Sequence, residues 1–158
     1  HALIEKLALK VHASGWEFDQ ILCLARGGVR PGDILSRIFD KPLAIMSTSS
    51  YRESAGTVQG RLDIARYITL PRGELEGRIL LVDDLADSGE TLKAVENHLR
   101  GGSGKITDLR SAVIWVKGIS TYLPEYYVDM LPTSPWIHQP FEEYDVLRPS
   151  RLAERWKI

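Results

Sequence analysis

Residues 77–92 read GRILLVDDLADSGETL, an apolar run followed by two adjacent acids and a short polar loop. The run at 79–82 is continuously aliphatic, which is typical of a strand buried on both faces in a parallel sheet. Helical spacing then begins, with Leu92, Val95 and Leu99 on one face. The stretch therefore predicts a strand, a loop and a helix, an arrangement whose helix N-terminus favours an anion, above all phosphate.

A second stretch repeats this order of elements. Residues 21–25 form an apolar run, residues 26–32 read RGGVRPG, and helical spacing resumes from Ile34 to Phe39. Adjacent glycines allow a backbone to approach a ligand closely, and an arginine binds phosphate oxygens through two parallel hydrogen bonds. A tight turn with solvent-exposed arginines is an equally good interpretation of the same residues.

The remaining segments complete an α/β pattern. Their apolar spacing predicts helices over 2–13 and 88–100, and strands over 43–46, 62–70, 112–116 and 126–130. Strands that alternate with helices predict a mainly parallel central sheet flanked by helices, with ligands bound beyond the carboxyl ends of the strands. Residues 47–60 are polar and patternless, so a mobile lid over an anionic substrate and an unstructured surface insertion both fit them.

Composition limits the classes of partner. The chain has 158 residues, enough for one domain, and its 20 Lys and Arg against 21 Asp and Glu leave a net charge of -1. No basic field therefore favours nucleic acid or an anionic membrane as a partner. The single cysteine, Cys23, excludes an internal disulfide, and no apolar run approaches the ~20 residues of a membrane span. These features predict a cytoplasmic protein with a local anion site.

The acids of the central stretch allow more than one role. Asp83 and Asp84 are adjacent, so in an extended chain their side chains point to opposite sides of the strand. Such a pair holds magnesium or accepts hydrogen bonds from sugar hydroxyls, and acid pairs at strand ends also occur in phosphate-accepting signalling domains. Asp87, with Glu90 three residues later, is also a candidate helix N-cap, worth about 1 kcal/mol.

The complete string at 82–91, VDDLADSGET, resembles the phosphoribosyl diphosphate binding motif of the type I phosphoribosyltransferases. ARGGVRPG at 25–32 resembles the diphosphate-binding loop of the xanthine-guanine branch, and the Ser49, Ser50, Tyr51 run resembles the start of its flexible catalytic loop. EYYVD at 125–129, followed by WIHQPFE at 136–142, resembles its aromatic purine-binding hood. The resemblance implies the type I phosphoribosyltransferase fold with a small irregular hood. We expect one domain over 1–158, with 131–158 as hood and C-terminal tail; the tail, 144–158, has no counterpart in the resemblance.

The same resemblance implies a role for each matched residue. Asp83 and Asp84 contact the ribose hydroxyls, and Asp84 is the candidate ligand of Mg2+. Asp87 is the catalytic candidate, a base or hydrogen-bond acceptor near N7 of the purine. The other residues that the resemblance assigns to phosphoribosyl diphosphate are Arg26, Gly27, Gly28, Ser50, Tyr51, Ser88, Gly89, Glu90 and Thr91. The peptide bond between Ala25 and Arg26 is a candidate for the cis form.

Three further residues are implied to bind the purine. Lys117, at a strand end, donates to the 6-oxo group and selects against adenine, Trp136 stacks on the base, and the Ile137 carbonyl faces the edge at position 2. His138 and the Phe141, Glu142 pair depart from the xanthine-guanine pattern, which leaves the choice among xanthine, guanine and hypoxanthine open.

The implied activity is purine salvage in the cytoplasm by a homo-oligomer, a dimer or tetramer. The 5-phosphoribose group passes from phosphoribosyl diphosphate to N9 of a 6-oxopurine, and diphosphate is released with the help of Mg2+. Two alternatives remain open: a non-catalytic regulator of the same fold that binds phosphoribosyl diphosphate or nucleotides, and a transferase for another nucleobase. The second would lack Lys117 and the hood around Trp136.

Overall fold

The computed structural model describes residues 1–50, 62–65, 67–102 and 104–157. In these ranges the chain forms, in order, α1 (Ala2–Ala13), β1 (Gln20–Ala25), α2 (Val29–Phe39), β2 (Leu43–Ser50), β3 (Leu62–Ile64), β4 (Gly77–Val82), β5 (Leu85–Ala86), α3 (Glu90–Arg100), β6 (Ile106–Lys117), β7 (Tyr126–Leu131), α4 (Glu143–Val146) and α5 (Pro149–Trp156). No helix among the described residues has the length and apolar character needed to cross a membrane.

The strands form one mainly parallel sheet. Their order is β3-β2-β1-β4-β6-β7, and β5 pairs with β6 beyond the end of β4. Among these described strands, every pairing is parallel except that of β2 with β3. Cys23 on β1 lies opposite Val82 on β4, and Val82 lies opposite Ala112 on β6. The loops that follow β1 and β4 therefore leave the sheet side by side, at its carboxyl edge.

Alternation along β4 explains its continuous aliphatic run. Ile79 and Leu81 pack on one face of the sheet in the cluster that contains the apolar residues of α3. Leu80 and Val82 pack on the other face with those of α1 and α2. Because successive strand residues point to opposite faces, a central strand covered on both sides must be apolar at every position.

Cys23 is a buried residue of β1. Burial raises the pKa of its thiol to about 11. At neutral pH the thiol is therefore protonated, and it packs as a small apolar side chain rather than acting as a nucleophile.

Three of the sequence-based boundaries are wrong. β2 continues to Ser50, so residues 47–50 belong to a strand and not to a loop. β6 begins at Ile106, before the predicted 112, because its polar first half pairs with β4. The strand predicted over 62–70 is only β3 among the described residues, with a further bridge between Thr69 and Ile45.

The C-terminal part, for which the sequence predicted no helix, contains the short helices α4 and α5.

An unusual connection joins β6 to β7. These strands are parallel neighbours, yet only residues 118–125 separate them, and β7 begins opposite Ala112. The chain must therefore run back along the sheet without a helix, whereas a parallel crossover ordinarily takes a dozen or more residues. Tyr122 of this return connection (residues 118–125) packs on the core cluster that contains α3. The return connection thus starts at the carboxyl edge, at Lys117, and lies beside α3.

Candidate active site

The loop after β1 (residues 26–28) packs against the end of β4. The Ala25–Arg26 peptide bond is cis, as the resemblance implied. A Cβ atom on Gly28 would lie 2.5 Å from the Val82 carbonyl oxygen and 2.8 Å from that of Leu24. A Cβ atom on Gly27 would overlap the carboxylate of Asp84. Position 28 therefore requires glycine, because its backbone touches the backbone of both strand ends, whereas a side chain at position 27 would have to displace the Asp84 carboxylate.

Two arginines extend from this part of the chain toward the C-terminal segments. The guanidinium of Arg30 lies over the ring of Phe141, 3.7 Å from its centroid. Arg26 lies 3.6 Å from a carboxylate oxygen of Asp145, and its side chain is 90% exposed. An ion pair this exposed contributes little stability, so the Arg26 guanidinium is available to another anion.

Asp83 and Asp84 follow β4 directly. The backbone N–H of Asp84 donates to Oδ1 of Asp83 at 2.9 Å. Burial raises the pKa of Asp83 well above its ordinary value, and repulsion from Asp84 raises it further. Burial also raises the pKa of Asp84. Two carboxylates kept close together and partly out of water form a site that a cation or several hydrogen-bond donors would stabilise.

Asp87 does not cap α3. The helix begins at Glu90, and its N-cap residue is Gly89, which has no side chain that could make a capping bond. The carboxylate of Asp87 instead lies 3.1 Å from Nζ of Lys117, whose side chain is 7% exposed. The capping prediction is wrong because the turn at Ser88 and Gly89 separates Asp87 from the helix. The sequence placed a lysine and an acid in different motifs, and the structure brings them together.

The phosphate loop, residues 87–91, leads into the N-terminus of α3. Gly89 has a φ of 80°, a left-handed conformation that glycine adopts without steric cost. The N–H of Glu90 donates to Oγ of Ser88 at 3.3 Å. Since Thr91 is within the first turn of α3, the loop presents backbone N–H groups and hydroxyls at the positive end of the helix dipole. This geometry suits a phosphate group.

The hood contacts the acid pair through a residue that received no role from the sequence. The side-chain amide of Gln139 donates to Oδ2 of Asp84. Trp136 is 66% exposed. Its indole N–H donates to Glu142, which is also in the hood, at 3.2 Å. Ile137 is half-buried. Gln139 was visible in the matched hood motif as the polar residue before Pro140, but nothing in the sequence indicated that it reaches β4.

A cavity of about 730 Å³ lies between the core and the hood. Its polar lining includes Arg30, Asp84 and Gln139, and its apolar lining includes Ile34, Phe141 and the neighbouring Tyr144. The cavity therefore opens beside Asp84 and extends over α2. Lys117 and the phosphate loop do not line it. Of the predicted sugar and diphosphate residues, Asp84 and Gly27 line this cavity.

The acid pair fits one requirement of Mg2+. This ion binds one or two protein carboxylates and takes its remaining ligands from water and substrate oxygens. Among the described residues, no group of three or more His, Cys, Asp or Glu side chains could hold a metal ion. A pair of carboxylates such as Asp83 and Asp84 would leave the other ligand positions of the ion to water and substrate oxygens. Of the two remaining predicted residues, Ser50 ends β2, and Tyr51 lies outside the described residues.

Comparison with known families matches residues 1–145 to the model of the phosphoribosyl transferase domain. The chain belongs to this family. The match includes both glycine-bearing loops, the acid pair, Lys117 and the hood. The resemblance that the sequence motifs indicated is therefore confirmed.

Individual relatives are purine phosphoribosyltransferases. The chain is 35% identical over 79 residues to a xanthine-guanine phosphoribosyltransferase of Roseobacter denitrificans, an alignment that covers 48% of this chain and 44% of the relative. A purine phosphoribosyltransferase from Pyrococcus horikoshii has 28% identity and a TM-score of 0.69, over 88% of this chain and 89% of the other. A xanthine-guanine-hypoxanthine phosphoribosyltransferase of Helicobacter pylori has 25% identity and a TM-score of 0.72, over 92% and 89%. The predicted fold class is confirmed.

Proposed function

We propose that this phosphoribosyltransferase domain transfers 5-phosphoribose from phosphoribosyl diphosphate to N9 of a 6-oxopurine and releases diphosphate. The observation that carries the proposal is the pair formed by Lys117 and Asp87, the first residue of the phosphate loop, with 3.1 Å between their charged groups. An ammonium donor next to a carboxylate acceptor complements the 6-oxo group and the N7–H of an oxopurine, since these two groups are neighbours on the base. Adenine has an amino group at position 6, which would oppose the lysine.

The activated sugar would bridge the two loops. The N–H groups of Gly89, Glu90 and Thr91, with the hydroxyls of Ser88 and Thr91, would bind its 5-phosphate. Asp83 and Asp84 would accept hydrogen bonds from its ribose hydroxyls. Arg26 and the amides of Gly27 and Gly28 would bind the diphosphate. This assignment is supported by the positions of both loops at one edge of the sheet, where ligands of parallel sheets bind.

The reaction places positive charge on the anomeric carbon and negative charge on the leaving diphosphate. Arg26 and the loop amides would stabilise the leaving group, because fixed donors stabilise charge as it develops. Asp87 would accept the hydrogen bond from N7–H and take that proton as N9 bonds to the anomeric carbon, so that the purine of the product is neutral. Bound Mg2+, held in part by Asp84, would supply further positive charge next to the diphosphate.

The C-terminal region completes the proposal. Residues 131–143 would serve as the hood of a single domain over 1–158, with Trp136 stacked on the base and the Ile137 carbonyl at its position 2. Residues 144–158 would form a tail. Ser50 and Tyr51 would begin the loop that covers the substrate and excludes water. The proposal also includes a cytoplasmic location and a homo-oligomeric state. The single free cysteine, Cys23, supports the first, and family membership supports the second.

The deciding experiment is an assay of diphosphate release. The protein is incubated with Mg2+ and phosphoribosyl diphosphate, and with xanthine, guanine, hypoxanthine, adenine or uracil in parallel; a reaction without base gives the hydrolytic background. We expect release with at least one oxopurine and background rates with adenine. Lys117→Met should lower the oxopurine rate and reduce the discrimination against adenine. Background rates with every oxopurine would contradict the proposal, and release with uracil alone would indicate a different nucleobase.

A further inference from the structure

The return connection is hydrogen-bonded to the phosphate loop at one carbonyl group. The backbone N–H of Thr121 donates to the Ser88 carbonyl oxygen at 2.9 Å, and the hydroxyl of Thr121 donates to the same oxygen at 3.1 Å. This carbonyl belongs to the peptide unit between Ser88 and Gly89, which is trans. In a planar trans peptide the C=O and N–H bonds point in opposite directions. The two bonds from Thr121 therefore fix the direction of the Gly89 N–H.

The return connection is itself held firmly. The hydroxyl of Tyr122 lies 2.9 Å from Oγ of Ser111, a buried residue of β6. Ser111 also donates to the carboxylate of Glu125, through its hydroxyl at 2.8 Å and its backbone N–H at 2.7 Å. Two residues of the connection are thus bonded to the central sheet. Thr121, directly before Tyr122, is attached to this rigid support.

Close packing fixes the next residue of the phosphate loop as well. A Cβ atom on Gly89 would lie 2.6 Å from Oγ of Ser120 and 2.6 Å from Cβ of Tyr122. The backbone of Gly89 therefore lies directly on the return connection. Ser120 and Tyr122 limit its movement on one side, while its N–H is directed away from Thr121.

We propose that Thr121 is a positioning residue for the 5-phosphate site, holding the Ser88–Gly89 peptide so that the Gly89 N–H points at the phosphate. This inference rests on the proposed function of the phosphate loop. Thr121 need not touch the substrate. Fixing a donor before binding lowers the cost of ordering it in the complex. The return connection begins directly after Lys117. The short segment from Lys117 to Thr121 would therefore position both the donor for the base and the donors for the phosphate.

The test compares three variants of the full chain. Thr121→Val has nearly the same shape and keeps the backbone bond but removes the hydroxyl. Thr121→Ser retains the hydroxyl. Thr107→Val makes the same change at an exposed position at the start of β6, at the opposite edge of the sheet. Binding of ribose 5-phosphate is measured by titration calorimetry, and KM and kcat are measured where turnover is found.

We expect Thr121→Val to weaken ribose 5-phosphate binding and to raise KM for phosphoribosyl diphosphate by about threefold to tenfold, the range for one lost hydrogen bond. The kcat at saturation should stay within about twofold, and Thr121→Ser and Thr107→Val should match the wild type. Unchanged binding in Thr121→Val would overturn the inference, even if its Tm were lower. Equal weakening in Thr121→Ser, or no binding of ribose 5-phosphate by the wild type, would overturn it too. If the wild type binds ribose 5-phosphate but releases no diphosphate, the proposed activity fails and the binding comparison still decides the role of Thr121.

Discussion

Asp87 and Lys117 stand 30 positions apart in the chain and 3.1 Å apart at their charged groups. The lysine is buried, whereas the side chain of Asp87 is 45% exposed. A pair with one exposed member adds little to stability, because water screens the exposed charge. The exposed carboxylate is also the one that a ligand can reach. At the scale of single residues, this pair therefore has the features of a recognition site more than those of a structural ion pair.

Asp87→Asn should lower turnover far more than it weakens sugar binding. We expect kcat to fall about 100-fold or more, as for loss of a general acid–base group. The Kd of ribose 5-phosphate should stay within about threefold, because the N–H donors of the phosphate loop are unchanged. Asp40→Asn, at the C-terminal end of α2, is the matched control, since asparagine tolerates the left-handed conformation of that residue. Unchanged kcat, with only a lower Tm, would assign Asp87 to structure.

Asp83→Asn should stabilise the free protein at neutral pH and abolish activity. The raised pKa of Asp83 in the folded state means that the unfolded chain loses this proton first, near the ordinary value of about 4. The free energy of unfolding therefore falls as pH rises from that ordinary value to the raised pKa. At lower pH, Asp83 is protonated in both states, so its titration does not change the stability. Asparagine does not titrate. Urea unfolding of both proteins between about pH 3 and 7 should show the variant gaining on the wild type as pH rises; a constant difference would contradict this.

At the scale of elements, the loop between β1 and α2 distinguishes two glycines that are equivalent in sequence. The atoms next to Gly28 belong to backbone carbonyls, which cannot move without disturbing β1 and β4. The atoms next to Gly27 belong to the side chain of Asp84, which can rotate. Stability and ligand binding should therefore respond differently at the two positions.

Gly28→Ala should lower the free energy of unfolding by about 1–3 kcal/mol, as other overpacked sites do. Gly27→Ala should cost less than about 1 kcal/mol, but it should displace the Asp84 carboxylate and weaken binding of phosphoribosyl diphosphate with Mg2+ about tenfold. Urea unfolding and titration calorimetry separate the two effects. The same loss of stability in both variants would mean that Asp84 has no freedom to move.

At the scale of the whole molecule, the hood contacts the core at the carboxylate that is proposed to bind the ribose and Mg2+. Gln139 donates to Asp84, and Phe141 packs under Arg30. The substrate would have to displace the amide of Gln139 from Asp84. In the free protein the Gln139 amide thus gives this half-buried carboxylate a hydrogen-bond donor, which lowers the free-energy cost of holding it partly out of water.

Gln139→Ala should therefore tighten binding of phosphoribosyl diphosphate with Mg2+ by about threefold, because no internal donor has to be displaced. The Tm of the free protein should fall slightly, since Asp84 loses a hydrogen bond. Titration calorimetry measures the affinity. His138→Ala, at the adjacent residue with an 85% exposed side chain, is the control. Weaker binding in Gln139→Ala would instead mean that the amide remains a partner of Asp84 in the complex.

The amino-acid sequence was sufficient to predict what depends on local pattern. The aliphatic run of β4, the glycines of the two loops and the acid pair predicted a parallel sheet with a phosphate site at its carboxyl edge. The order of the motifs predicted the family. Local pattern was insufficient for β6, because the first half of that strand carries Asp108 and Arg110 and takes its strand conformation from pairing with β4.

Only the tertiary structure decided which residues meet. Asp87 had the spacing of a helix cap, but the chain turns at Gly89 and the carboxylate faces Lys117. Gln139 and Thr121 carried no signal, because one reaches Asp84 and the other reaches Ser88 through contacts between distant segments. Periodicity and turn chemistry act over a few neighbouring residues, and so the sequence can determine elements and their order. Pairings across the sheet edge depend on how those elements pack, which is why the partners at this site required the structure.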